Sequence, residues 1–229
     1  MSVWLILSGI LAPALFWLGY FTYKDRFQPE PFTRMGTSYL LGIAAALACV
    51  YTLRLLLPLL GLPYDPSALI EGDRLSWLLY SVGITGMIEE MFKFLPFGLI
   101  VLRFPCFDER TDGIIYASFI ALGFATYENI LYLPHLEGLE LFGRAFASPL
   151  THTIFSSIWG YAVGAAHMQG RLRIRAALIG LGLAGTCHGL FNFLTTSPEL
   201  RALSSLLILA VWIWRIRLLE RSADRDQPR

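Results

Sequence analysis

Three carboxylates, two imidazoles, a lysine and an amide stand inside runs of apolar residues, where such side chains are rare. Glu89-Glu90-Met91-Phe92-Lys93 interrupts one run, and Phe124-Ala125-Thr126-Tyr127-Glu128-Asn129 a second. His152 lies in a third and His188-Gly189-Leu190-Phe191-Asn192 in a fourth. Ionisable groups at bilayer depth cost several kcal/mol, so by default they mark function. Glu128, His152 and His188 form the donor set of a three-ligand catalytic zinc that keeps one position open for water. Zinc lowers the pKa of that water to about 7 and polarises a carbonyl. Glu89 or Glu90 is then the general base that later protonates a leaving group. Lys93, four residues after Glu89 and three after Glu90, can pair with either and hold it charged. Adjacent helical residues point about 100° apart, so the two glutamates cannot both face one ligand. Asn192, one turn beyond His188, is an oxyanion donor or an orienting amide. A metal-free scheme uses the same residues, with a glutamate activating water and the histidines holding the oxyanion; the metal scheme is preferred. HExxH and GxSxG are absent, Ser156 and Ser157 have no base at a defined spacing, and no aspartate falls mid-run.

Membrane helices must position these groups. The chain has 229 residues, 55% hydrophobic and 15% charged, against roughly 25% charged in soluble domains. Mean hydropathy is +0.57. A net charge of +1, with no basic patch interleaved with aromatics, gives no sign of nucleic acid. Three scattered cysteines make no disulfide framework or CxxC metal site. A span needs about 20 apolar residues. The apolar runs at 3–23, 36–60, 77–102, 112–133, 144–166, 174–195 and 200–219 predict an all-α bundle of about seven transmembrane helices. No linker divides it, so residues 1–229 read as one domain with a catalytic core at about 77–195.

Loops 24–35, 103–111 and 167–175 hold three, two and three Lys/Arg, and the tail after Trp214 holds five; the intervening loops hold one each. The positive-inside rule then puts the N-terminus outside, the C-terminus in the cytoplasm, and the first helix as an uncleaved anchor. At ~1.5 Å per residue, Glu89 lies ~16 Å, Glu128 ~8 Å, His152 ~12 Å and His188 ~10 Å from the outer helix ends. Four helices, two running each way, thus bring their polar groups to one layer. An ion pair with Lys93 or a hydrogen-bonded core histidine explains each motif singly but not this shared depth. A proton-coupled transporter or channel is the competing class, disfavoured by the absence of internal repeats and of paired broken helices.

The motifs, in this order and spacing, resemble those of the PrsW family of intramembrane proteases, distant relatives of the CAAX prenyl-protease superfamily. Glu89-Glu90-Met91-Phe92-Lys93 matches EExxK, and Phe124 to Asn129 matches FxxxEN. His152 opens the third motif, His188 and Asn192 supply the fourth, and Tyr23 to Pro31 resembles a Y-x-D-x-x-x-PEP stretch. The resemblance covers roughly residues 10–195. It implies a multi-pass endopeptidase of the cytoplasmic (inner) membrane, cutting a membrane-embedded or membrane-proximal protein. A single-pass anti-sigma factor is one substrate it suggests.

Overall fold

The computed structural model describes residues 3–226 apart from 27, 171 and 172; Phe27 of the N-terminal motif and Arg171 and Arg229 of the basic segments lie outside the described residues. Helices α1 (Val3–Lys24) and α2 (Phe32–Leu59) are followed by the short α3 (Ser67–Glu71) and α4 (Arg74–Tyr80). A π-helical turn, Ser81–Gly86, leads into α5 (Met87–Leu99). Then come α6 (Arg110–Tyr132), α7 (Gly138–Met168), α8 (Arg173–Thr196) and α9 (Arg201–Asp226). No strand occurs among the described residues, so the chain is an all-α membrane protein.

Among the described residues, five helical segments are long and apolar enough to cross a membrane: Ile6–Lys24, Phe32–Leu59, Arg110–His135, Arg173–Thr196 and Arg201–Leu219. The two other expected runs do not meet that measure. The run 77–102 is divided among α4, the π turn and α5, and 144–166 falls within α7, whose polar residues lower its hydropathy. A break in one run and polar residues in the other thus remove two segments from the apolar count.

Helix α6 occupies the centre, buried on nearly every side and packed mainly against α7 and α2. A capping box of Glu109 and Asp112 starts it. Gly160 and Gly164 of α7 meet Gly113 of α6 backbone to backbone, and the next seam joins α7 to α8. Gly180 supplies that next seam, against Trp159. Tyr116, Phe119, Phe97 and Trp159 fill the core beneath.

Around this centre lie three polar ties. At the α1–α2 turn the Asp25 carboxylate accepts the Glu30 N–H at 2.7 Å. Glu30 accepts the Tyr116 hydroxyl of α6. Burial pushes the Asp25 carboxyl up to about 7; the Glu30 N–H opposes this, and the Glu30 and Glu109 carboxylates add to it. On α9, Arg215 is fully buried. It donates to Ser157 of α7 at 2.8 Å and Ser118 of α6 at 2.9 Å, and lies over the Phe21 ring of α1. The sequence counts it among the cytoplasmic tail cations; its fork instead bonds the two serines inside the bundle. The third tie is at Pro149, which has no N–H for the Ala145 carbonyl one turn earlier in α7. Asn129 of α6 donates its side-chain amide to that carbonyl at 3.4 Å, as backbone freed at membrane depth requires.

Candidate active site

The π turn sets the position of the glutamate pair. Ser81 donates to the Gly189 carbonyl of α8 at 2.7 Å, and a side chain at Gly86 or Gly189 would strike the facing backbone. This contact brings the first turn of α5 against His188. Glu89 and Glu90 then take different roles.

Glu90 is fully buried and points into the bundle. It accepts from Lys93 Nζ at 2.7 Å, Ser156 Oγ at 2.7 Å and Trp159 Nε1 at 2.8 Å. His188 Nδ1 lies 3.0 Å away; beside an ionised carboxylate, which only accepts, that nitrogen carries the proton. Four donors leave Glu90 no capacity to act as a base. Lys93, equally buried, sits 4.5 Å from the centroid of Phe124, the first residue of the FATYEN motif. Glu89 faces the other way. Its Oε2 is buried without a hydrogen-bond partner, 3.6 Å from His188 Nε2 and 3.8 Å from Lys93 Nζ.

The second histidine mirrors the first. His152 Nε2 lies 2.8 Å from Glu128 Oε2, while its Nδ1 is buried and unpartnered. The two imidazoles stand edge to face at 4.8 Å, and Phe155 stacks on His188. Each histidine therefore has one nitrogen held by a carboxylate and the other turned free, the arrangement that orients metal-ligating histidines.

Glu89, His152 and His188 each offer one ligand atom, all within 4.8 Å of one another. Tetrahedral zinc with bonds near 2.1 Å needs ligands about 3.4 Å apart, close to the 3.6 Å between Glu89 and His188. Three carboxylates (Glu89, Glu90, Glu128) face two cations (Lys93, Arg144), a surplus of one negative charge that would favour a cation here. The residues fit a metal.

Glu89, Glu128, His152, His188 and Asn192 line one cavity of about 660 Å³, which Arg144, Ser148, Trp77 and the α3 residue Ile70 extend to its mouth. Glu90 and Lys93 stand behind its wall. All seven residues singled out in the sequence therefore gather here, but Glu128 belongs to His152 and not to the three-atom cluster. Sequence reading missed Ser156 and Trp159 as partners of Glu90, although their offsets of four and seven from His152 put them on its helix face. It also missed the bond between Asn129 and the proline-freed carbonyl.

A model of the PrsW family intramembrane metalloprotease matches residues 30–216. Protease PrsW of Oceanobacillus iheyensis is 32% identical over 190 residues, 82% of each chain. Protease PrsW of Bacillus subtilis is 29% identical over 195 residues, 84% of this chain and 83% of its own. That of Clostridioides difficile is 29% identical over 229 residues, 95% and 90% respectively. No solved structure matches. With the motifs gathered around one buried cavity and a family match over most of the chain, the protein belongs to the PrsW family of intramembrane proteases.

Proposed function

We propose that this membrane protease hydrolyses a membrane protein at the Glu89–His152–His188 cluster, with a divalent metal, zinc by its donor set, held by those three residues. The observation that carries this is the convergence of one ligand atom each from Glu89, His152 and His188 within 4.8 Å, with Glu89 Oε2 and His152 Nδ1 buried without hydrogen-bond partners. When bound, the ion supplies Lewis-acid polarisation of the scissile carbonyl and acidifies water. Glu89 thereby takes the ligand position that the sequence suggests for Glu128.

The protein's own groups do the rest. Glu90 and Glu128 hold the two imidazoles in the tautomers that leave one lone pair each facing the cavity. Glu128, the other carboxylate on the cavity wall, takes a proton from the attacking water and returns it to the leaving amine. Asn192 donates to the carbonyl oxygen as it becomes an oxyanion. Lys93 pairs with Glu90 at 2.7 Å and anchors it. The products are a carboxylate and an amine, with one water consumed.

The basic-loop asymmetry supports a cytoplasmic-membrane protein with its N-terminus outside, the cavity then opening outward. A single-pass membrane protein such as an anti-sigma factor fits that access, since its juxtamembrane segment reaches the mouth. Elemental analysis of detergent-purified wild type, Glu89→Gln and Glu128→Gln tests the assignment. We expect about one metal per chain in wild type and Glu128→Gln, and a large loss in Glu89→Gln. Cleavage should fall at least about 100-fold in both variants. A metal-free wild type that still cleaves would transfer the base role to Glu89.

A further inference from the structure

Helix α7 carries Arg144, Ser148, His152 and Ser156 at steps of four, one polar stripe along one face. Ser156 and His152 are engaged by Glu90 and Glu128. The next two residues toward the mouth are not satisfied. Ser148 is 8% exposed and its Oγ has no hydrogen-bond partner. Arg144 Nε is also buried without one, and the Arg144 guanidinium reaches Glu128 only at 3.9 Å while lying over the Tyr132 ring. Both residues line the cavity. The facing α8 wall differs: Thr195 and Thr196 bond to carbonyls of their own helix, and Trp77 donates to Thr196. The buried unpartnered donors of the cavity wall thus lie on α7, one and two turns from His152 toward the mouth.

The spacing of this stripe matches an extended peptide. Four residues of helix rise about 6 Å, and two residues of extended chain advance about 6.6 Å. A substrate strand laid along α7 from His152 therefore meets Ser148 and then Arg144 at successive second residues, both on the same face. We propose that the α7 stripe is the substrate-binding rail of this protease, with Ser148 hydrogen-bonding the main chain two residues from the scissile bond and Arg144 selecting an acidic side chain four residues from it. This deepens the protease reading of the same cavity and rests on it. A planar guanidinium matches a carboxylate with two donors, and one lying over an aromatic ring is pre-oriented to do so.

The test uses the purified full chain in detergent and a library of ten-residue apolar peptides. Each peptide carries one Glu, Gln or Lys at successive positions, and mass spectrometry maps the cut. Wild type should cleave the Glu peptide about tenfold better in kcat/KM than the Gln peptide when that residue is fourth from the scissile bond. Arg144→Gln should bring the ratio to about one, Arg144→Lys should keep a preference for Glu, and Arg144→Glu should reverse it toward Lys. The ratio is internal to each variant, so a general loss of folded protein does not move it. A wild-type ratio near one at that position, or one unaltered by Arg144→Gln and Arg144→Glu, overturns the rail. No cleavage of any peptide by wild type, or cleavage that survives Glu89→Gln, overturns the assignment of this cavity as the site, and the rail with it.

Discussion

Two adjacent glutamates of this site do different jobs, and the difference is measurable as stability. Glu90 accepts four donors and balances a fully buried lysine, so its neutralisation leaves that interior cation with only the longer 3.8 Å contact to Glu89. Breaking a buried pair in this way costs about 3–5 kcal/mol. Glu90→Gln should lower the thermal unfolding midpoint in detergent markedly. Glu89→Gln, compared with wild type after chelator treatment so that neither holds an ion, should leave it unchanged or raise it, because Glu89 Oε2 has no hydrogen bond to lose. Equal losses in the two variants would contradict the division of roles. That one of the pair faces the cavity and the other a partner is legible in the sequence, since 100° separates neighbours on a helix. Which is which depends on Ser156 and Trp159, whose meeting with Glu90 is fixed by how α7 is rotated against α5, and no local pattern encodes that.

Among the elements, α7 shows a helix defect put to use. Pro149 leaves the Ala145 carbonyl without its N–H, and Asn129 of α6 supplies a replacement. Asn129→Ala should cost about 1–2 kcal/mol in the native background. It should cost much less in Pro149→Ala, where the backbone amide returns to its carbonyl. A double-mutant cycle read by thermal unfolding checks this; strictly additive losses would show that the two residues act independently. The apolar runs are legible in the sequence because their lengths match a bilayer. The division of 77–102 is less so: a π turn followed by α5 is set by the fit of Gly86 against Gly189, a contact between segments a hundred residues apart. Arg215 misleads for a related reason. A basic residue late in an apolar helix reads as an interfacial flank until Ser118 and Ser157 are seen to receive it.

At the scale of the molecule, the carboxylate tie between the α1–α2 turn and α6 makes stability depend on pH. Asp25 has a folded-state pKa of about 7 against an ordinary value of 3.8. The folded state therefore holds a proton that the unfolded chain releases, and its stabilising contribution is present in full below about 4. It is lost as pH rises toward about 7. Unfolding midpoints measured between pH 5 and 7.5 should fall more steeply for wild type than for Asp25→Asn; parallel curves would remove Asp25 from the account. The knot around Glu90 has another consequence, for biogenesis. Its donors come from α5, α7 and α8, and α8 is made about a hundred residues after Glu90. A nascent chain therefore carries the glutamate and its lysine into the membrane well before Ser156, Trp159 and His188 exist to receive them. Insertion of α5 alone is costly, and its charges must wait at the translocon or in contact with water until the later helices arrive. Completion of the Glu90 network is thus a late step in the assembly of the bundle, since His188 of α8 is its last member to be made.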